Sequence, residues 1–269
     1  MQCLQLTRGE PPVVLPAIGT ALNDMSWAEI KKVSDAGLAS SYFSVGDRKA
    51  VFLNGTAGSL SLNDTYYCYI IGIDHNSAKE GTNRIHFQFG FDALSSGNHI
   101  AFIDGGYDSS HSSGSHFNMN NQDSNSGGWK SSRMRNIIIP TFKTCLPSDL
   151  QAVLKTVTKY SDNTGGGSNA ESNVTATTDD IFLLAEWEVF GTRSYANSAE
   201  QNYQAQYVYY SAGNSKVRYQ HSSPGSTAHW WLRSVYWSSM NAFCRAKTSG
   251  DAGTHHSYYS FGFAPAFCV

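Results

Sequence analysis

Nine histidines invite a metal reading, because neutral imidazole is the commonest metal ligand, and His255-His256 stand close to Asp251. Adjacent side chains point apart on most backbones. Neither a His-Glu-x-x-His helix nor a facial histidine pair with a carboxylate is written in the chain, so no metal is expected. A serine hydrolase would show a sharp Gly-x-Ser-x-Gly turn after an apolar strand, and no such turn occurs. Cys244 reads as an inert packing residue, since lone cysteines are more often small buried hydrophobes than nucleophiles. Glu186 and Glu188 alternate with apolar neighbours across 184–189, which predicts the polar face of a strand rather than an acid/base pair. Gly165-Gly166-Gly167-Ser168 is followed by neither Lys-Ser nor Lys-Thr, so it reads as a flexible surface loop and not a phosphate cradle. These readings leave no catalytic constellation, and neither an enzyme nor a bound cofactor is expected.

Two fragments set tryptophan beside arginine. One is Gly128-Trp129 with Arg133 and Arg135, the other Trp230-Trp231-Leu232-Arg233-Ser234. Stacked rings and guanidinium forks could form a ligand platform. The reading preferred here is a buried Trp core pinned by an internal Arg hydrogen-bond network, since both fragments lie beside strand signals.

These residues must be positioned by a chain that is weakly charged and rich in aromatic and small polar types. Charged residues make up 15% of its 269 residues and net charge is −2, with no Lys/Arg run, so nucleic acid is not an expected partner. The first residues lack a signal-peptide pattern, and no apolar run is long enough for membrane insertion. The five cysteines are widely spaced and odd in number, which argues against a disulfide framework.

Residues 1–20, with Pro11, Pro12 and Pro16, read as an extended lead-in. Ser26 with Glu29 forms a capping-box signature, Met25 with Ile30 a hydrophobic staple, and together they predict a helix over 26–36. A second helix is predicted over 148–159 from the spacing of Leu150, Val153, Leu154 and Val157. Short β-like runs at 50–53, 66–73, 85–91 and 181–184 are separated by turn-forming clusters. Tyr203, Tyr207 and Tyr210 hint at a further helical face. The expected fold class is α+β, with two main helices packed on irregular, mostly antiparallel strands over 21–269.

A larger pattern joins these pieces. Gly127-Gly128-Trp129 with Ser132 and Arg135, Leu146-Pro147, the stretch 186–191 with Tyr195-Ala196-Asn197, Trp230 to Ser234, and the terminal Gly262-Phe263-Ala264-Pro265-Ala266-Phe267-Cys268 occur in that order. The combination resembles the C-terminal domains of phage tail proteins and related surface proteins of gut Firmicutes, from about Trp27 to Val269. Many members of that family are targets of diversity-generating retroelements. The resemblance therefore implies a C-type-lectin-like fold with variable residues on one face, encoded near the end of the gene. Randomising the first two bases of an Asn codon never yields Trp, Met, Lys, Gln or Glu. Neither Glu nor Gln occurs after Gln220.

On this resemblance the variable segment is about 236–261. Its candidate contact residues are Tyr236, Ser238, Ser239, Asn241, Ala242, Arg245, Ser249, Asp251, Gly253, Thr254, His255, His256, Tyr258, Tyr259 and Phe261. Tyr258, Tyr259, Phe261, His255, His256 and Arg245 are expected to project into solvent together. Phe243, Cys244, Gly250, Gly262 and Pro265 are expected to be framework, and Trp237, Met240 and Lys247 scaffold or differently encoded positions. Val235 departs from the family pattern, which commonly has proline there. The implied function is recognition of a protein or glycan on a target cell surface, by a phage virion tail or a bacterial surface protein, with homo-oligomerisation left open. The alternatives are a calcium-dependent sugar-binding lectin, weakened by the absence of Glu-Pro-Asn, Gln-Pro-Asp and Trp-Asn-Asp, and a formylglycine-generating-type enzyme that shares the broader fold.

Overall fold

The capping box at Ser26 forms as its residues dictate. In a computed structural model that describes residues 13–269, Ser26 N donates to Glu29 Oε2 at 2.8 Å and Glu29 N donates to Ser26 Oγ at 3.3 Å. The helix Trp27–Asp35 that follows buries Trp27, Ile30 and Val33 on one face. Met25 is buried too, as a staple residue should be. Trp27 stands edge-on to Phe87 and Phe267, at ring-centroid distances of 5.5 and 5.9 Å.

Those two phenylalanines belong to an antiparallel five-stranded sheet. Its order is β1 (Arg48–Ala57), β2 (Leu60–Ile73), β3 (Ile85–Phe91), β13 (Ala266–Cys268) and β7 (Ile181–Phe182). The last strand in sequence thus lies inside the sheet, and Ile85 and Val269 exchange both backbone hydrogen bonds, at 2.9 and 3.0 Å. A three-stranded sheet of β10 (Trp230–Val235), β11 (Ala242–Ala246) and β12 (Ala252–His256) follows the chain in meander order. The remaining strands are β5 (Val157–Asp162) with β6 (Val174–Asp179), and β4 (Ile100–Ala101), β8 (Arg218–Gln220) and β9 (Ser223–Ala228). Only β4 and β8 pair in parallel among the described strands. The protein is a mixed helix-and-strand fold with mostly antiparallel strands, and one hydrophobic cluster runs from Leu22 to Val269.

The predicted second helix is cut short. Only Ser148–Gln151 is helical, and the chain is strand from Val157. The apolar spacing there is compatible with a helix. However, Thr156, Val157 and Thr158 are β-branched, Lys155 N donates to Cys268 O at 2.8 Å, and β6 supplies a partner for six successive residues. The helix that packs into the core is Ile139–Cys145, entered through a π-helical turn at Met134–Ile138. Its Phe142 meets the rings of Phe89, Phe102 and Phe263. Glu186 and Glu188 sit in the short helix Glu186–Phe190 rather than on a strand, and both are buried. Tyr203, Tyr207 and Tyr210 share no helix, since only Val208–Ser211 is helical there.

Cys68, Cys145, Cys244 and Cys268 are free and buried, as packing cysteines should be, whereas Cys3, Pro11 and Pro12 lie outside the described residues. Among the described residues no helix is long and apolar enough to cross a membrane.

Candidate recognition face

Strand β10 carries the segment that follows it, and it is anchored at both ends. Trp230 and Trp231 are fully buried; their indole nitrogens donate to Lys216 O at 3.0 Å and Phe117 O at 2.9 Å. Trp129 is buried as well and donates to Asp179 Oδ2 at 3.1 Å, while Arg135 reaches the other oxygen of that carboxylate at 2.6 Å. Both Trp-Arg fragments are therefore structural. Arg133 donates to the backbone oxygens of Gly114 and His116 and to Asn118 Oδ1, tying down a long loop.

Arg233 binds Glu188 through two nitrogens, at 2.5 and 2.8 Å, and Glu188 also accepts from Lys159 at 3.2 Å. Lys159 donates to Glu80 Oε2 at 2.6 Å and to the Tyr207 hydroxyl at 2.8 Å. His75, Glu80 and Glu188 lie close enough together to suggest a metal site, but the Lys159 ammonium supplies the positive charge among them. Burial works to raise the pKa of Glu188, yet Arg233 and Lys159 outweigh it and hold the carboxyl below its ordinary value. Burial, reinforced by Lys159, pushes His75 down to about 3, so at neutral pH it is an uncharged ring stacked on Tyr207 at 3.7 Å.

A second buried carboxyl sits under the end of β10. Glu200 accepts from Ser234 Oγ at 2.6 Å, from Asp162 N at 2.9 Å and from Gln204 Nε2 at 3.0 Å. Burial raises its pKa to about 7, against the opposing pull of those hydrogen bonds.

Beyond β10 the chain makes an exposed turn and then the β11–β12 hairpin, in which Arg245 faces Gly253 and Phe243 faces His255. The turn is held from beneath by Asn125, whose amide donates to Ser239 O at 2.7 Å and Ala242 O at 2.8 Å. Gly166 donates its backbone N–H to Asn125 Oδ1 at 3.0 Å, and a Cβ there would stand 1.6 Å from Ser239 O. The glycine run at 165–167 is therefore a close backbone seat for the turn and not the free loop its composition suggests. A loop at 104–125 borders the hairpin's far side. Asp108 N donates to Ser260 O, His111 N to Tyr258 O, and Asn120 N to Ser257 O. Buried Asp104 pins that loop, accepting from Gly106 N, Phe117 N and Ser260 Oγ.

The fifteen sequence-derived contact residues divide by burial. Ser238, Ser249, Asp251 and His256 are exposed; Tyr236, Ser239, Asn241, Arg245, Thr254, His255, Tyr258 and Tyr259 are half-buried. Ala242, Gly253 and Phe261 are buried, which corrects their assignment as contact residues. Ala242 lies under the turn that Asn125 holds, and Gly253 lies under the Lys247 side chain. Phe261 is 0% exposed because rings close over it from several sides: Trp231 at 4.9 Å, His255 at 5.0 Å, His229 at 5.2 Å and Tyr107 at 6.3 Å. Phe243, Cys244, Gly262 and Pro265 are buried framework, and Gly250 is half-buried. Met240, expected as scaffold or a differently encoded position, is 75% exposed at the turn.

The accessible candidates form neighbouring groups. His255 meets Tyr259 at 4.2 Å, Tyr259 meets Tyr258 at 5.3 Å, and Tyr258 meets His256 at 5.9 Å. His256 contacts Asp123 at 3.0 Å, and Asn241 donates to that carboxylate at 3.2 Å. Ser249 and Asp251 bond to each other at the hairpin tip, and Tyr236 packs against Tyr195. His255 and His256 point to different partners, as neighbours on a strand do. Sequence reasoning missed Tyr107, Asp108, Asp123 and His229, which edge the same patch. For Tyr107, Asp108 and Asp123 the local signal was the Gly/Ser/Asn/Asp-rich character of 104–126, which marks turns without saying what they face.

A search of curated proteins and a search of solved structures both return no match. A protein-family model covers 101–269, the part that contains the bordering loop, the hairpin and the Arg233, Glu188 and Lys159 members of the buried ion network, and by that match the chain belongs to the family described as domain of unknown function (DUF6273).

Proposed function

We propose that this is a ligand-binding protein of a phage tail or bacterial surface, built on a C-type-lectin-like scaffold and recognising a molecule on a target cell. In this reading the segment 236–261 is the recognition face, diversified by a retroelement. The observation that carries it is a division within one short segment. Asn241, His256, Tyr258 and Tyr259 are accessible and adjacent, while Phe243, Cys244, Ala246, Ser257 and Ser260 beside them are buried. A face rewritten at random must spare the close-packed interior, where changes of a single methylene are felt. Tyr, His, Ser and Asn also provide contact area and adaptable hydrogen bonding at modest entropic cost.

The genomic test is the DNA beside the gene. A reverse transcriptase gene and a near-copy of the final codons are expected, with adenine mismatches at the codons for Ser238, Arg245, His256, Tyr258 and Tyr259, a matching Asn codon at Asn241, and no mismatch at Phe243 or Phe261. Lack of the near-copy removes diversification from the proposal. The binding test compares labelled protein with the variant His256→Ser/Tyr258→Ser/Tyr259→Ser on a panel of gut bacterial isolates by flow cytometry. The wild type should stain a subset and the variant none, with melting temperatures within a few degrees, as roughly ±0.5 kcal/mol per surface site implies. Equal staining by both proteins rejects this face.

A further inference from the structure

Arg245 is half-buried, and its Nε is shielded from solvent without a hydrogen-bond partner among the described residues. Its guanidinium carbon lies 4.6 Å from the centroid of the Phe261 ring, so the flat cation is held against an apolar surface. The other arginines that reach inward, Arg133, Arg135, Arg218 and Arg233, all donate to oxygen atoms. Next to Arg245 on the paired strand stands Gly253, which offers no side chain to satisfy it. Asp108 is close enough to influence Arg245 electrostatically, but it makes no ion pair with it among the described residues. His255 contributes a second orphan, a buried Nδ1 with no partner. His229 accepts from Thr248 N through Nδ1 at 3.1 Å, which places its proton on Nε2. Unsatisfied buried donors are uncommon, and each one marks a place where a partner is expected.

We infer that the patch over Phe261, formed by Arg245, His255, His229, Tyr107 and Tyr259, receives the carboxylate of an Asp or Glu side chain from a polypeptide partner. The inference rests on the reading of 236–261 as a recognition face and names the chemistry this chain's version of that face selects. A guanidinium presents its donors in a fork that matches a carboxylate, and its stacking on Phe261 limits the rotamer freedom lost on binding. Burial keeps both histidines uncharged at neutral pH, each pushed down to about 4, so Arg245 faces the ligand with one formal charge. One cation suits one carboxylate better than a doubly charged phosphate. A polypeptide is favoured over an acidic sugar because the groups lie on a strand hairpin edged by Tyr and Arg, the types enriched where proteins meet. Two clefts among the described residues lie elsewhere, one beside Asn23 and Arg48 and the other beside Arg135 and Asp180.

The probe is a phage-displayed random dodecapeptide library, selected on the full chain and then assayed on Arg245→Gln, Arg245→Glu and the triple serine variant. Recovered peptides should contain Asp or Glu, lose at least about tenfold in affinity on Arg245→Gln, and regain binding to Arg245→Glu when that acid is changed to Lys. Because the Arg245 side chain makes no hydrogen bond among the described residues, Arg245→Gln should melt within a few degrees of wild type. If the library yields no peptide whose binding depends on Arg245, the carboxylate assignment is wrong. Loss on the triple variant without loss on Arg245→Gln rejects this inference alone, whereas indifference to both variants rejects the recognition face as well. Displacement of the peptides by millimolar N-acetylneuraminic acid, dependent on Arg245, assigns the patch to an acidic sugar and overturns the polypeptide reading.

Discussion

Replacing Glu200 by Gln should remove a specific part of the protein's pH dependence. The carboxyl is fully buried beneath Ser234, and its pKa rises from 4.5 to about 7 on folding. A group whose folded pKa is raised binds its proton more tightly in the folded state. Its contribution to stability is therefore fully present below the unfolded value and is lost as pH climbs through the folded value. The shift corresponds to about 3 kcal/mol in all, of which about 2.5 kcal/mol should disappear between about pH 5 and about pH 8. Glutamine keeps the side chain's shape, can accept from Ser234 Oγ through its amide oxygen, and does not titrate. The assay is urea unfolding of wild type and Glu200→Gln at matched pH values, with the difference between the two proteins as the readout. Other buried groups titrate in both proteins and cancel in that difference. The wild type should lose stability relative to the variant as pH rises, and for a chain of this size the relative shift in melting temperature should be roughly 5 to 10 °C. A difference that stays flat over this range, or that moves in the opposite direction, refutes the assignment of a buried proton to Glu200.

Phe261→Ala should destabilise the protein by about 3 to 5 kcal/mol, because it empties a site enclosed by Trp231, His229 and His255; a loss below about 1 kcal/mol in denaturant unfolding would return Phe261 to the exchangeable positions. Arg233→Met should cost a similar 3 to 5 kcal/mol, roughly, by leaving the Glu188 carboxylate buried with only Lys159 as a cationic partner. The double variant Arg233→Met/Glu188→Met should recover part of that loss, and a double variant worse than the sum of the singles would show that the pair does more than neutralise itself. Reductant should leave the thermal midpoint unchanged, since Cys68, Cys145, Cys244 and Cys268 are all free; a drop of several degrees would reveal a disulfide.

The first helix, strand β3 and the structural role of both Trp-Arg fragments were legible in the sequence because each rests on local physics. A capping box satisfies its own helix end, a β-branched and aromatic run selects an extended backbone, and large rings beside strands bury themselves. The segment 148–159 was not legible in this way. Its apolar spacing allowed a helix, and only pairing with Val174–Asp179 and the bridge from Lys155 to Cys268 turned its last residues into extended chain. Glu186 and Glu188 were misplaced for the same reason, because the partners that stabilise Glu188 in a buried helix, Arg233 and Lys159, come from strands far along the chain.

The segment proposed for recognition shows the same boundary between what the residues carry and what the fold adds. The family resemblance marked 236–261 as a unit, and the chemistry of Tyr, His, Ser and Asn marked it as suited to contact. Which of its residues face outward depended on the tertiary structure. Burial at Ala242, Gly253 and Phe261 is imposed by Asn125, by Lys247 and by rings from Tyr107, His229 and Trp231. Gly165 and Gly166 became a seat for that segment only because distant backbone approaches them too closely for any side chain. Sequence determines what a residue can offer, through propensity, volume and donor inventory. Exposure belongs to the neighbours that long-range packing brings, and those neighbours are set by the whole chain at once.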